Sequence, residues 1–238
     1  MSKSRKTGRV PTDNRWSQWG LQLWSPLGRY MATQYQKLYF QVVESTGHPK
    51  RDILITRVEA ARDSLEEAKG QFQDALERFS VLTRFQGGDL GHLYQQLKRE
   101  FDYSQSRADA VRDRIDAVEA VADALFLEWE EELEQYTNRN LRNTSRQKLK
   151  QTRQHCGQLL IAMRRAEDRI EPVIAVFQDQ VLFLKHNLNA QAIASLEGEL
   201  TAMSLNVANL IDAMERSINR ANDFVETLNR QKILPPSA

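Results

Sequence analysis

From Leu54 onward, apolar or small side chains recur at Val58, Ala61, Leu65, Ala68, Phe72, Ala75, Phe79 and Leu82. The steps alternate between four and three, which makes a seven-residue repeat. Such a stripe holds one face of an α-helix against a neighbouring helix, because two turns bring the side chain back to the same side. A strand, with its period of two, cannot use this spacing. Pro49 suits the first helical turn, where its missing N–H costs nothing. The run stops at "QGGDLG", whose glycines permit the chain to reverse.

The repeat then returns. A second seam, with Asp89 as its expected N-cap, reads Leu97, Phe101, Ser104, Ala108, Val111, Ile115, Val118, Ala122, Leu125 and Trp129. A third reads Leu149, Thr152, Cys156, Leu159, Met163, Ala166, Ile170, Val173, Phe177, Val181 and Leu184. Pro172 lies within it and predicts a kink or local unwinding over residues 168–172. The fourth reads Leu196, Leu200, Met203, Val207, Leu210, Met214, Ser217, Ala221, Phe224 and Leu228. "YTNRNLRNTS" and "KHNLNAQ" are the expected turns between them, the latter with Asn189 as the cap of the last helix. Short turns make neighbours antiparallel, and helices of about 35–47 residues would run about 50–70 Å. The expected fold is all-α: an elongated antiparallel four-helix bundle or coiled coil, with a short N-terminal helix before it. The expected organisation is a disordered basic leader over 1–14, a Trp-rich segment and short helix over 15–47, the long-helix bundle over 48–230, and a flexible tail over 231–238.

Charge indicates which helices lie together. Residues 89–135 hold thirteen acids against five bases, whereas residues 138–186 hold ten bases against four acids. In a hairpin, "EWEEELE" folds back beside "RNLRNTSRQKLKQTR". Both clusters oppose the helix dipole, since the acids sit at a C-terminus and the bases at an N-terminus. Local neutralisation is therefore the first reading of the basic run. Its second reading is an anion contact through Arg142, Arg146, Lys148, Lys150 and Arg153, in nucleic acid or lipid. Net charge is only +1, so any attraction for a polyanion must be local.

The motifs of catalysis and metal binding are missing from the sequence. Di-iron bundles use Glu-x-x-His, but the residues three before His48, His92, His155 and His186 are Ser45, Asp89, Thr152 and Phe183. "GGDLGH" lacks the Lys-Ser/Thr pair of a phosphate loop, and no serine has a G-x-S-x-G setting. The single Cys156 excludes an intrachain disulfide. The expectation is a non-enzyme with no cofactor and no metal. "VIAVFQDQVLFL", the densest apolar run, is interrupted by Gln178, Asp179 and Gln180 and is too short to span a bilayer. No apolar run or cleavage site follows the basic start, so no secretory signal is expected.

"RWSQWGLQLWSPLGRY" places Trp16, Trp19 and Trp24 within nine residues, with Leu21, Leu23 and Leu27 among them. Indoles favour the headgroup boundary, and neighbouring Lys and Arg attract anionic lipid. Trp16, Trp19, Leu23 and Trp24 are thus candidate membrane or partner contacts. Capping the open end of the bundle is the competing role, and Gly20 and Pro26 argue against one continuous amphipathic helix.

"GHPKRDILITRVEAARDSLEEAKGQFQDALERFS" and "RRAEDRIEPVIAVFQDQVLFLKHNLNAQAIASLEGEL" together resemble a bacterial family of unknown function, over roughly residues 45–228. Many of its members look like envelope lipoproteins, and some carry a DNA-repair ATPase label. This chain departs from both patterns: Cys156 lies mid-bundle with no lipobox, and there is no phosphate loop. No functional residues carry over. The expected function is that of a non-catalytic helical structural or interaction protein, cytoplasmic and peripheral to an inner membrane. An anionic membrane surface, a protein partner or a second copy of the chain is the expected contact. A nucleic-acid-associated accessory role through residues 139–165 is the alternative.

Overall fold

The computed structural model describes residues 50–83, 90–187 and 190–233. The expectations for the basic leader, the Trp-rich segment, Asp89, Asn189 and residues 234–238 fall outside them. Among the described residues the chain forms five helices and no strand: α1 Lys50–Thr83, α2 Leu90–Leu133, α3 Arg139–Glu167, α4 Ile170–His186 and α5 Ala190–Ile233. They make four arms of a helical bundle, because α3 and α4 are one arm with a break. The first arm, α1, packs on α2 and α5, and the α3–α4 arm packs on the same two.

Cross-helix pairs fix the directions. Lys50 meets Glu128 and Arg107 meets Glu67, so indices rise on α1 as they fall on α2. Arg153 meets Glu130 and Arg164 meets Asp116, so α3 also runs against α2. Arg62 reaches Asn222 and Lys69 reaches Glu215, so α5 opposes α1. Each arm is antiparallel to both of its neighbours. At about 1.5 Å per residue, the 44 residues of α2 and of α5 each extend about 66 Å.

The seams are buried as their spacing requires. Leu54, Val58, Leu65, Ala68, Phe72, Ala75 and Phe79 are fully shielded, and every seam position from Leu149 to Leu184 is buried. The register slips toward the end of α2. Leu125 and Trp129 are only half-buried, while Val121, Phe126 and Leu133 take core places; Phe101, nearer the start of the helix, is half-buried too. Leu200 on α5 is half-buried as well. A straight helix has 3.6 residues per turn, so a seven-residue stripe drifts by about 20° per repeat, and over 44 residues the buried face moves to the next column. Trp129 fits its half-buried place because its indole N–H can donate to Ser145 Oγ at 2.9 Å.

The break in the third arm lies where Pro172 predicts it. Proline at that position cannot donate to the carbonyl of Asp168 and its ring crowds that oxygen. Helix α3 therefore ends at Glu167, the Arg169 N–H turns back to Ala166 O at 3.2 Å, and α4 begins at Ile170. One boundary differs from expectation. "YTNRNLRNTS" is not all turn, because Asn138 caps α3 by accepting from the N–H groups of Asn140 at 2.9 Å and Leu141 at 3.2 Å. With two of the four orphan donors satisfied there, the helix starts at Arg139 and includes Asn140, Asn143 and Thr144.

Among the described residues the core holds one carboxylate that the heptad spacing passes over. Glu100, on α2, is 6% exposed and accepts from Gln71 Nε2 at 3.1 Å and from Arg78. Its partner Arg78 remains largely in water. Two substitutions separate the apolar from the polar contribution in thermal or urea melts. Phe72→Ala should cost about 3–5 kcal/mol, because it leaves a cavity between arms. Glu100→Leu should be neutral or stabilising, because Arg78 regains full hydration once the buried charge is gone.

Candidate functional site

The acidic end of α2 and the basic start of α3 face each other, and their ion pairs account for part of the basic run. Arg142 pairs with Glu134, and Arg153 pairs with Glu130 while its guanidinium sits 5.2 Å from the Phe126 ring centroid. Further along, Arg164 binds Asp116 at 2.7 Å, Glu167 at 2.8 Å, and Glu119. Burial acts to lower the Arg164 pKa, but the three hydrogen-bonded carboxylates outweigh it and raise the value. The hydrogen bond from Arg153 holds Glu130 below its ordinary 4.5, while partial desolvation and the nearby Glu119 push Asp123 up.

The five candidate anion contacts therefore divide. Arg142 and Arg153 are engaged with acids of α2. Arg146, Lys148 and Lys150 are exposed and meet no carboxylate among the described residues. Lys148 lies away from the others, since Arg142, Arg146, Lys150 and Arg153 follow each other at steps of four, four and three, the spacing of one helical face. The candidate membrane contacts Trp16, Trp19, Leu23 and Trp24 lie outside the described residues.

A second basic feature forms on the opposite side of α3. Arg164 and its sequence neighbour Arg165 diverge: Arg164 serves the acids of α2, and Arg165 faces α5. There it joins Arg169, Arg216 and Arg220 around an open groove of about 800 Å³. Among the described residues Arg165 and Arg169 meet no carboxylate. Arg216 pairs with Asp212, and Arg220 donates to the amide oxygen of Gln158 across the groove at 3.4 Å. Asp223 is the acid on the lining. Sequence reasoning missed this site because Arg165 and Arg216 are distant in the chain. The available signal was two Arg pairs at i, i+4 spacing, which becomes a site only when antiparallel packing puts the pairs together.

Cys156 is fully buried, and burial pushes its thiol up to about 12, so it stays protonated at neutral pH. Among the described residues no three His, Cys, Asp or Glu side chains gather to hold a metal ion.

The Glu130 pKa predicts a pH effect. Because the folded value is depressed, Arg153–Glu130 pairing contributes stability above about pH 4.5, and that contribution is lost as pH falls through the folded value. Glu130→Gln should thus melt below the parent protein at pH 7, with the two curves converging as both are acidified.

No curated protein matches the chain. The model of a protein family of unknown function, DUF2959, matches residues 39–228, and its span takes in all four arms of the bundle. The protein belongs to this family.

Proposed function

We propose that this protein is a non-catalytic helical scaffold that works through its outer faces at the periphery of a membrane. The observation that supports this reading is the interior itself. Aliphatic and aromatic seams fill it along α1, α3 and α4, leaving recognition to the charged exterior. No described helix is long and apolar enough to cross a membrane, so attachment would be to a surface. The three tryptophans behind a basic start supply the chemistry for that attachment, and anionic lipid is the surface that suits it. The inner face of a bacterial membrane is the proposed location. Exposed Arg146, Lys148 and Lys150 favour one second reading, an accessory protein on nucleic acid.

Vesicle flotation tests the first reading. The full chain should float with vesicles containing anionic lipid and stay behind with purely zwitterionic ones, and residues 30–238 alone should float less. Equal behaviour of both proteins would remove the tryptophan anchor. Retention on duplex DNA that falls with salt, and falls again for the Arg146→Gln/Lys148→Gln/Lys150→Gln variant, would favour the second reading instead.

A further inference from the structure

The geometry points to a binding site for anionic phospholipid headgroups in the groove between α3 and α5, with Arg165, Arg169, Arg216 and Arg220 as the phosphate contacts. This deepens the membrane reading above and rests on it. Arg165 lies on α3 and Arg169 in the break just after it, while Arg216 and Arg220 lie on the antiparallel α5. The α5 pair is spaced by four residues, about 6 Å of rise. A guanidinium donates two parallel hydrogen bonds to a phosphate, so paired rows of them suit several phosphate groups side by side better than one compact anion.

The charge on the groove is only partly compensated. Four arginines line it against Asp223 within the lining and Asp212 beside it. Across the α2–α3 contact the opposite holds, since Arg142, Arg153 and Arg164 each have a carboxylate. Local neutralisation thus accounts for one side of α3 and leaves the other side free to attract an anion.

Neighbouring apolar groups select lipid among the phosphate-bearing partners. Ile161, on the groove lining, is 55% exposed. Leu205 is 63% exposed and precedes Arg216 by eleven residues, three helical turns, so it lies on the same side of α5. Aliphatic side chains in water gain nothing, whereas beside headgroups they reach the acyl boundary. Single-stranded nucleic acid would call for aromatic platforms on which bases stack, and none of the described residues on this lining is aromatic.

The test is flotation of the full chain with phosphatidylcholine vesicles that contain phosphatidylglycerol. Arg165→Gln/Arg169→Gln and Arg216→Gln/Arg220→Gln are compared with the parent and with Arg146→Gln/Lys148→Gln/Lys150→Gln. Each surface-bound arginine is worth about fivefold in partitioning, so each groove pair should lower binding by about tenfold or more. The control triple should lower it distinctly less. Should the groove pairs float like the parent, or no worse than the control triple, the site is wrong while membrane attachment stands. A parent chain that ignores anionic vesicles removes both. Pyrophosphate or duplex DNA bound by such a chain, and lost in the groove variants, would reassign the arginines to a soluble phosphate compound or to nucleic acid. Should a variant lose its cooperative helical melt, hydrogen exchange on the parent decides. Vesicles should slow exchange over residues 158–169 and 213–223, and protection confined to other segments overturns the assignment.

Discussion

Burial of seam side chains between neighbouring arms is the interaction on which the rest of the structure depends. Ala61, Ala68 and Ala75 alternate with Leu65, Phe72 and Phe79 along α1, and all are shielded. Small residues let the helix axes approach, and the large ones fill the space left between them. The polar groups this seam admits are few and small. Ser104, Thr152 and Ser217 occupy core positions on three arms. Gln180 and Glu100 are the larger exceptions, and Glu100 survives burial because Gln71 and Arg78 satisfy both carboxylate oxygens.

With the interior occupied, charge is arranged around the outside, and its arrangement differs from face to face. The α2–α3 side is laced by ion pairs that oppose the unfavourable dipole ends of both helices. Individually these exposed pairs are worth little, about 0–1 kcal/mol. Their value lies in register: Arg142 with Glu134, Arg153 with Glu130 and Arg164 with Asp116 all agree on a single antiparallel alignment. The α3–α5 side has no such matching row of acids. The two faces of one helix therefore do different work, one joining arms and the other presenting cations.

The break at Asp168–Arg169 connects fold to surface. Pro172 ends α3, and Arg169 sits at the junction as the residue before α4. The buried stripe keeps its three-four spacing across the break, so that Met163, Ala166, Ile170, Val173 and Phe177 all lie in the core while Arg169 is exposed beside the groove.

Much of this architecture was legible residue by residue. The three-four spacing identified most of the buried positions of α1, of the third arm and of α5, because heptad periodicity is a local property that any single helix must carry. It did not mark Ile55, Ile174, Ala213 or Val225, which are buried as well. Pro172 announced the break for the same reason: its missing N–H and its ring act within one turn. The end of α2 was misread, since the drift between 3.5 and 3.6 residues per turn accumulates only over a long straight helix, and neighbours decide which column is finally covered. Glu100 was invisible because its burial depends on Gln71 and Arg78, which belong to another arm. The arginine groove was invisible for a stronger reason, as Arg165 and Arg169 lie far in sequence from Arg216 and Arg220. Periodicity by itself determined that the chain forms long helices with these buried stripes. The opposed charges of α2 and α3 already indicated that these two arms lie together. Only the tertiary structure decided that α3 also lies against α5, and hence which of its cations are cancelled and which face the solvent, because that contact acts through space between residues that no local spacing relates.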